Sequence, residues 1–397
     1  MIRQLLSPLV ASLLLTGLVT PSNAAQEAFA NAVPVSGPAA LATDGLGHLF
    51  MLEQAGARVR KIDLSTGSIS TVAGDGKNLS IEDGGKATDY FLGSMRSIAI
   101  DPQGNLLIGQ GSRVRMVDAA TGIITTVAGQ FKSGKTIDGV AAADAQFWGI
   151  DGLAVNAGGD LFIADGLQRK IFRVDAATRI LRTYAGNGRY GLSGDGGPAL
   201  EASFEWANGI ALNPYGDLVV ADMNNCRIRW IDHSSGVINS IGSLDQVEAS
   251  CAKRTTKPGG ASSYAQPVVD SSRSVYVVDE AGDLLLRIDW DTSESSIVAG
   301  VGKRGYSGDS GPATQAELAN PSGVAIDSEG NLFISEFSNN RIRRVDKKTQ
   351  VITTFAGNGA LHIFDSPIIQ VTPTAQPRQD PPIPLADPFP LPVGPHD

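Results

Sequence analysis

Polar and aromatic side chains suited to ligand recognition recur at matching places along this chain. Six positions separated by 55 or 57 residues carry side chains of different types: Ala39, Arg96, Asp151, Asn208, Ala265 and Ser322. Trp148 and Trp206 shortly precede Asp151 and Asn208. Polar groups beside flat aromatic rings suit a sugar or a peptide. We predict that Arg96, Asp151, Asn208, Trp148 and Trp206 line one side of a binding mouth. In the alternative interpretation the tryptophans fill structural gaps and the polar groups are only hydrated.

The elements that position these residues are short β-strands. Residues 324–327, 331–335, 341–346 and 351–355 are β-branched or aromatic runs, and turn-forming residues separate them. Such a pattern predicts one four-stranded antiparallel meander. The aspartate that closes its third strand recurs at separations of 55, 57, 57, 57 and 57 residues, as Asp63, Asp118, Asp175, Asp232, Asp289 and Asp346.

The repeats predict an all-β fold, a six-bladed β-propeller of four-stranded antiparallel blades. Each unit is apolar on both faces, so a neighbour must cover it on each side, and radial repetition supplies that cover. Small side chains suit the crowded strand nearest the axis, and the copies carry Ala42, Ala99, Ala154, Ala211, Val268 and Ala325 there. An open β-solenoid, the other geometry considered, needs shorter repeats. The predicted blades are 33–74, 91–129, 148–186, 206–242, 264–300 and 320–357.

Two motifs carry a resemblance to a known family. Gly-Asn-Leu-Phe-Ile at 330–334 is followed by Asn-Asn-Arg-Ile-Arg-Arg-Val-Asp at 339–346, and the linker at 191–199 reads Gly-Leu-Ser-Gly-Asp-Gly-Gly-Pro-Ala. These segments resemble NHL repeats of the long bacterial and teneurin type. The resemblance implies a propeller fold and a scaffold role, in a family that spans binding modules and a few enzymes. The main hypothesis is therefore a binding scaffold for a glycan, peptide or protein partner, without a cofactor.

A second resemblance supplies the alternative function. Asp151-Gly152 and Asn208-Gly209 are similar to the metal-binding strand starts of the gluconolactonase family, which implies one divalent cation and a hydrolase or lactonase activity using Asp151 and Asn208. The first blade departs from that pattern, because residues 37–40 contain no carboxylate. The four histidines, His48, His233, His362 and His396, fall at unrelated places in the repeat or in the tail, which argues against a zinc site or a Ser/His/Asp triad.

Charge and the two chain ends predict location. A net charge of -9 with a pI near 5 argues against nucleic-acid binding, which needs a basic face. Residues 1–24 read as a signal peptide, since Arg3 precedes a short apolar run and small residues flank a cleavage point before Ala25. We expect a secreted or periplasmic protein without a membrane span, its propeller in residues 25–360 and a flexible proline-rich tail in residues 361–397.

The chain has two cysteines, Cys226 and Cys251. An oxidising compartment favours a disulfide between them, and closing a loop of this size stabilises the fold by roughly 3 to 4 kcal/mol. Two separate thiols are the alternative.

Other repeated charges receive structural interpretations. Acids recur at the end of the second strand as Glu53, Asp165, Asp222, Asp279 and Glu336, and bases near the start of the third strand as Arg58, Arg113, Lys170, Arg227 and Arg341. We expect cross-strand pairs between them. The linker aspartates Asp83, Asp138, Asp195 and Asp309 are expected to stabilise their own turns, because one carboxylate per loop is too few for calcium.

Closure of the ring is the last expectation. Every unit begins at the inner strand and ends at the outer one, so blades one and six must meet by face packing. We expect Leu49, Met51 and Val59 to contact Phe333, Ile342 and Val345, with residues 361–371 bracing the seam from outside.

Overall fold

The computed structural model describes residues 28–74, 82–222, 225, 227–243 and 266–360. The predicted signal peptide, the proline-rich tail, and both Cys226 and Cys251 lie outside the described residues, so these remain predictions. Within the described ranges, no helix has the length and apolar composition needed to cross a membrane.

Six sheets, each with four consecutive antiparallel strands, form the described fold. Blades one and two contain Pro38–Thr43, His48–Glu53, Arg58–Asp63 and Ser68–Ala73, then Met95–Ile100, Leu106–Gln110, Arg113–Val117 and Ile124–Gly129. Blades three and four contain Gly152–Val155, Leu161–Asp165, Lys170–Val174 and Leu181–Ala185, then Ala207–Leu212, Leu218–Asp222, Arg227–Ile231 and Ile238–Ser243. Blades five and six contain Val268–Val269, Val275–Asp279, Leu284–Ile288 and Ser295–Ala299, then Pro321–Ile326, Leu332–Glu336, Arg341–Val345 and Val351–Ala356. The six-bladed propeller predicted from the repeat is confirmed.

The core lies between the blades. The second strands of blades three to six are buried along their whole length, as the apolar residues on both faces predicted. First strands of neighbouring blades contact each other around the ring, and apolar clusters fill the space between successive sheets. The first strands therefore line a central channel, and the turns at the two ends of the strands form the two faces of the ring.

Linkers cover the outer edge of several blades. Gly311–Pro312 pairs with Val351–Ala356 of blade six, and Ala28–Phe29 pairs with Ser68–Ala73 of blade one. Single bridges such as Pro198 to Val237 do the same at other blades. An uncovered outer strand exposes unpaired backbone groups to other chains, so this cover protects the edge.

The predicted role of the linker aspartates was wrong. Asp195 Oδ1 accepts from Arg229 Nη2 at 2.7 Å, and its Oδ2 accepts from Ser240 Oγ at 2.6 Å. Asp309 likewise contacts Arg343 and Thr354. Each aspartate thus binds the third and fourth strands of the following blade, and Asp309 also accepts from the Tyr306 hydroxyl of its own linker at 3.0 Å. The reason is that a fully buried arginine in the third strand needs a carboxylate, which the adjacent linker supplies.

The predicted cross-strand pair forms in blade one, where Arg58 Nη2 lies 2.7 Å from Glu53 Oε2. In blade six Arg341 instead donates to the carbonyls of Asn339 and Asn358. There the Glu336 carboxylate accepts from the backbone N–H of Ala319, in the linker that leads into its own blade. A buried N–H that lacks a backbone partner needs such an acceptor. The acid at the end of the second strand therefore bonds the linker to the blade.

Ring closure rests on face packing, as expected, but with a different set of contacts. Leu49 and Met51 share one cluster with Phe333 and Ile342. Val59 faces blade two and Val345 faces blade five, so these two residues were assigned wrongly. Alternate residues of a strand point to opposite faces of its sheet, so Val59 lies on the face opposite Ile62, and Val345 on the face opposite Ile342.

Candidate functional site

Arg96 and Asp151 are brought together at the start of the first strands of blades two and three. Asp151 is 9% exposed, and its Oδ1 lies 2.6 Å from Arg96 Nη1. Its Oδ2 accepts from the backbone N–H of Gly166 at 3.0 Å. The Arg96 side chain is about half exposed, so the pair reaches from the buried channel wall to the solvent.

Trp206 joins this pair from blade four. A Cβ placed on Gly166 would overlap Trp206 Nε1 and lie 2.7 Å from Asp151 Oδ2. Only glycine permits so close an approach of the indole and the carboxylate to one backbone position. Asp151 and Trp206 therefore meet at the hairpin that follows the second strand of blade three, and Arg96 joins them through Asp151.

Trp148 lies beside this group with its ring exposed. Its side chain is 57% exposed, so it does not fill a gap between blades. Its backbone N–H donates to Asp165 Oδ2 at 2.8 Å, and Gln168 Nε2 donates to the same oxygen at 2.6 Å. Burial raises the pKa of Asp165, and the nearby Asp151 charge raises it further. A buried carboxylate thus fixes the backbone that presents Trp148.

Asn208 is placed deeper than the other four. It is 5% exposed, in the first strand of blade four. A Cβ on Gly152 would lie 3.0 Å from the Asn208 carbonyl oxygen, so the first strands of blades three and four are in backbone contact. Asn208 therefore belongs to the channel wall below the mouth.

Exposed apolar residues that the repeat comparison missed extend the site. Leu167, in the same hairpin as Gly166, is 43% exposed, and Tyr190 in the next linker is 67% exposed. The Arg169 guanidinium lies 5.7 Å from the Tyr190 ring centre. We call Arg96, Trp148, Asp151, Leu167 and Trp206 the mouth surface. Leu167 is an exposed apolar residue at a turn, and that was the signal available in the sequence.

Gln266 was also missed, and it narrows the channel. Its Nε2, from blade five, donates to the Leu153 carbonyl of blade three at 3.3 Å, passing the intervening blade four. The equivalent positions hold small residues, Ala40, Ser97, Gly152, Gly209 and Gly323, so a glutamine there was the available signal. A side chain that spans blades three and five obstructs the channel below the mouth surface.

The geometry does not fit the divalent cation that the alternative function requires. Both Asp151 oxygens are already engaged, one of them by the positively charged Arg96 guanidinium. Across the described ranges, no three His, Cys, Asp or Glu side chains are grouped as metal ligands. A cation held by Asp151 would have to displace Arg96.

A family model for the NHL repeat matches residues 318–345. The chain contains an NHL repeat. This match falls on the motif in blade six from which the resemblance was read, and the resemblance is confirmed.

Two curated relatives are similar over part of the chain. The chloroplastic protein SUPPRESSOR OF QUENCHING 1 of Arabidopsis thaliana is 25% identical over 276 residues, covering 66% of this chain and 26% of the relative. Human Teneurin-1 is 27% identical over 245 residues, covering 53% of this chain and 8% of the relative. The NHL chain thus spans only a small part of either relative's length.

A solved structure shares the propeller fold. An auxiliary nutrient binding protein from Bacteroides thetaiotaomicron superimposes with a TM-score of 0.52 at 16% identity, covering 81% of this chain and 70% of that one. At this identity the likeness extends to the fold alone.

Proposed function

We propose that this NHL propeller is a secreted or periplasmic binding scaffold whose mouth surface holds a glycan, peptide or protein partner. The observation that carries the proposal is the meeting of Asp151 and Trp206 at Gly166, with Arg96 paired to Asp151 and the exposed ring of Trp148 nearby. An exposed tryptophan near a fixed polar pair is expected of a recognition surface, because aromatic residues contribute much of the binding energy at interfaces.

The chemistry of the surface favours a sugar among these partners. A pyranose ring presents a flat apolar face that an indole can cover, and its hydroxyl groups can bond to a guanidinium and a carboxylate. The Gln266 side chain crosses the channel below the mouth surface. The ligand therefore lies on the mouth surface and does not pass through the ring. The signal-peptide pattern of residues 1–24 supports the location. The fold shared with a nutrient binding protein agrees with a binding role.

A glycan and peptide array probed with residues 25–397 tests this proposal. Binding to a sugar, followed by titration with Trp148→Ala, should show an affinity loss of about tenfold or more, because the stacking surface is removed. Asp151→Asn should weaken binding less, since the amide keeps one hydrogen-bond acceptor.

Tyr215→Ala is the matched control. Tyr215 is 61% exposed, but it lies in the turn between the first and second strands of blade four, at the opposite end of the ring. Its loss should leave the affinity unchanged. A ligand whose affinity is insensitive to both Trp148→Ala and Asp151→Asn would show that the mouth surface is not the binding site. A peptide hit with the same sensitivity would keep the site and change the ligand class.

A further inference from the structure

A cavity lies between blades one and two, at the opposite end of the ring from the mouth surface. Its volume of about 540 Å³ falls within the range of roughly 300 to 1,000 Å³ that small-molecule pockets have. Turns of both blades surround it, and the nearly buried side chains Phe50, Leu106 and Val117 contribute apolar surface to its lining.

Two lysines bring positive charge to this cavity, which two aspartates also line. Lys61 and Lys86 both line it, and neither forms an ion pair within the described ranges. Lys61 Nζ lies 6.0 Å from the centre of the Phe50 ring, at the edge of the apolar surface.

The acids of the same cavity are already engaged. Asp44 accepts from the backbone of Leu46 at 2.8 Å and contacts His48 Nδ1 at 2.6 Å. Asp118 accepts from the backbone and hydroxyl of Thr121, each at 2.8 Å. The lysine charges are therefore not compensated by a direct contact with either carboxylate.

Blade one differs from blade three at these residues. In blade three the position of His48 is held by Asp160, which pairs with Arg173 at 2.7 Å and accepts from the backbone of Ala176. Arg173 occupies the position of Lys61, since both face an aromatic residue across the hairpin. With histidine in place of that aspartate, Lys61 has no equivalent partner, and the charge is directed to the cavity instead.

We propose that this cavity binds a small organic anion, a carboxylate with an apolar body. Lys61 and Lys86 hold the carboxylate, because ammonium groups donate charge-assisted hydrogen bonds to it. The apolar body lies against Phe50, Leu106 and Val117, where it removes hydrocarbon surface from water. This site is separate from the mouth surface and does not depend on its function.

Calorimetric titration of the full mature chain with 1-naphthoate tests the proposal, with neutral 1-naphthamide as the second probe. We expect 1-naphthoate to bind with a Kd of about 1 mM or tighter. The neutral amide should bind about tenfold or more weakly, and the double variant Lys61→Ala, Lys86→Ala should lose naphthoate binding by a similar factor.

Lys347→Ala, Lys348→Ala is the charge-matched control, since it removes two lysines from a turn of blade six. This variant and Trp148→Ala should bind naphthoate as the parent protein does. The proposal is overturned if 1-naphthoate shows no binding at about 10 mM, if the amide binds equally well, or if the Lys61, Lys86 double variant retains parental affinity.

Discussion

At the scale of single residues, Glu336 is a carboxylate whose ionisation opposes folding. It is fully buried, and desolvation raises its pKa to about 7 despite Arg343 Nη1 at 3.7 Å from Oε2. The folded state therefore holds a proton that the unfolded state, with a pKa of 4.5, releases. This contribution is fully present below pH 4.5 and is lost as pH rises to about 7, a loss of roughly 3 kcal/mol.

Glu336→Gln should remove this contribution. We expect the free energy of unfolding of the parent, relative to the variant, to fall by roughly 3 kcal/mol between pH 4.5 and 7.5. Urea unfolding at a series of pH values measures it. Glu317→Gln is the control, because the hydrogen bond and charge of Lys303 hold the pKa of Glu317 below its usual value. Removing Glu317 should therefore leave the pH dependence above pH 4.5 unchanged. Parallel pH profiles of parent and Glu336→Gln would contradict the assignment.

The sequence pointed to the residues of the candidate site, but it did not predict the contacts between them. Comparison of the repeats brought Arg96, Asp151 and Trp206 forward because they differ between copies, and the structure places those three together. It could not show that Asp151 would be engaged by Arg96, since that contact joins residues of different blades. The depth of Asn208 likewise depends on how closely two first strands approach, and no spacing within one repeat encodes that distance.

At the scale of elements, the linkers are structural parts of the blades that follow them. Arg229 is fully buried, and Asp195 of the preceding linker supplies its carboxylate at 2.7 Å. Asp195→Ala should destabilise the protein by about 2 to 4 kcal/mol, because it leaves a buried guanidinium without its counter-charge. Urea unfolding checks this value.

Asp138→Ala is the matched control for Asp195→Ala. Asp138 accepts from the backbone and hydroxyl of Thr183, but blade three carries Phe172 where blade four carries Arg229. Its removal should cost only about 1 kcal/mol, as expected for lost hydrogen bonds. Equal losses in the two variants would mean that the buried arginine does not need the linker aspartate.

Strands could be predicted from the sequence and linkers could not. Alternation, turn residues and the repeat length define each meander locally, so the strand pattern was readable. The linker contacts join residues about 34 to 45 positions apart, as in Asp195 with Arg229 and Ser240, and they depend on the linker folding back along an outer strand. The signal in the sequence was an arginine, Arg229 in blade four, at the third-strand position where blade three carries Phe172. A buried guanidinium needs a carboxylate nearby.

At the scale of the whole molecule, the segment before blade one spans the seam of the ring. Ala28–Phe29 pairs with the outer strand of blade one, and the Ala30 carbonyl accepts from Gly357 of blade six at 2.8 Å. Val35 is fully buried in the cluster that joins the two blades. Residues 28–30 take the place of the linker that precedes the other blades, since Gly357 donates to the Ala30 carbonyl as Gly300 donates to that of Ala313. Their sequence, Ala-Phe-Ala, lacks the Gly-Pro-Ala linker motif that would have predicted this.

Further bonds join the same two blades. The Gly37 N–H donates to Asn340 Oδ1 at 3.0 Å, and Thr43 Oγ1 donates to the Ile326 carbonyl at 2.9 Å. Ser335 Oγ also donates to the carbonyl of Ala39 at 3.0 Å. Closure therefore combines apolar packing with hydrogen bonds between blades one and six. Among the described residues, the two blades exchange no strand.

Removing residues 28–35 should open this seam before any other joint. The deletion exposes the outer edge of blade one and takes Val35 out of the shared cluster, so the local opening free energy should fall by about 2 kcal/mol. Hydrogen exchange should then rise in blades one and six, first in Ser68–Ala73 and Val351–Ala356, while blades three and four keep their protection. A separate deletion of residues 361–397 tests whether the tail also braces the seam, as we predicted from the sequence. Exchange that rises equally in all six blades, or that does not change in blades one and six when residues 28–35 are absent, would contradict closure through the segment before blade one.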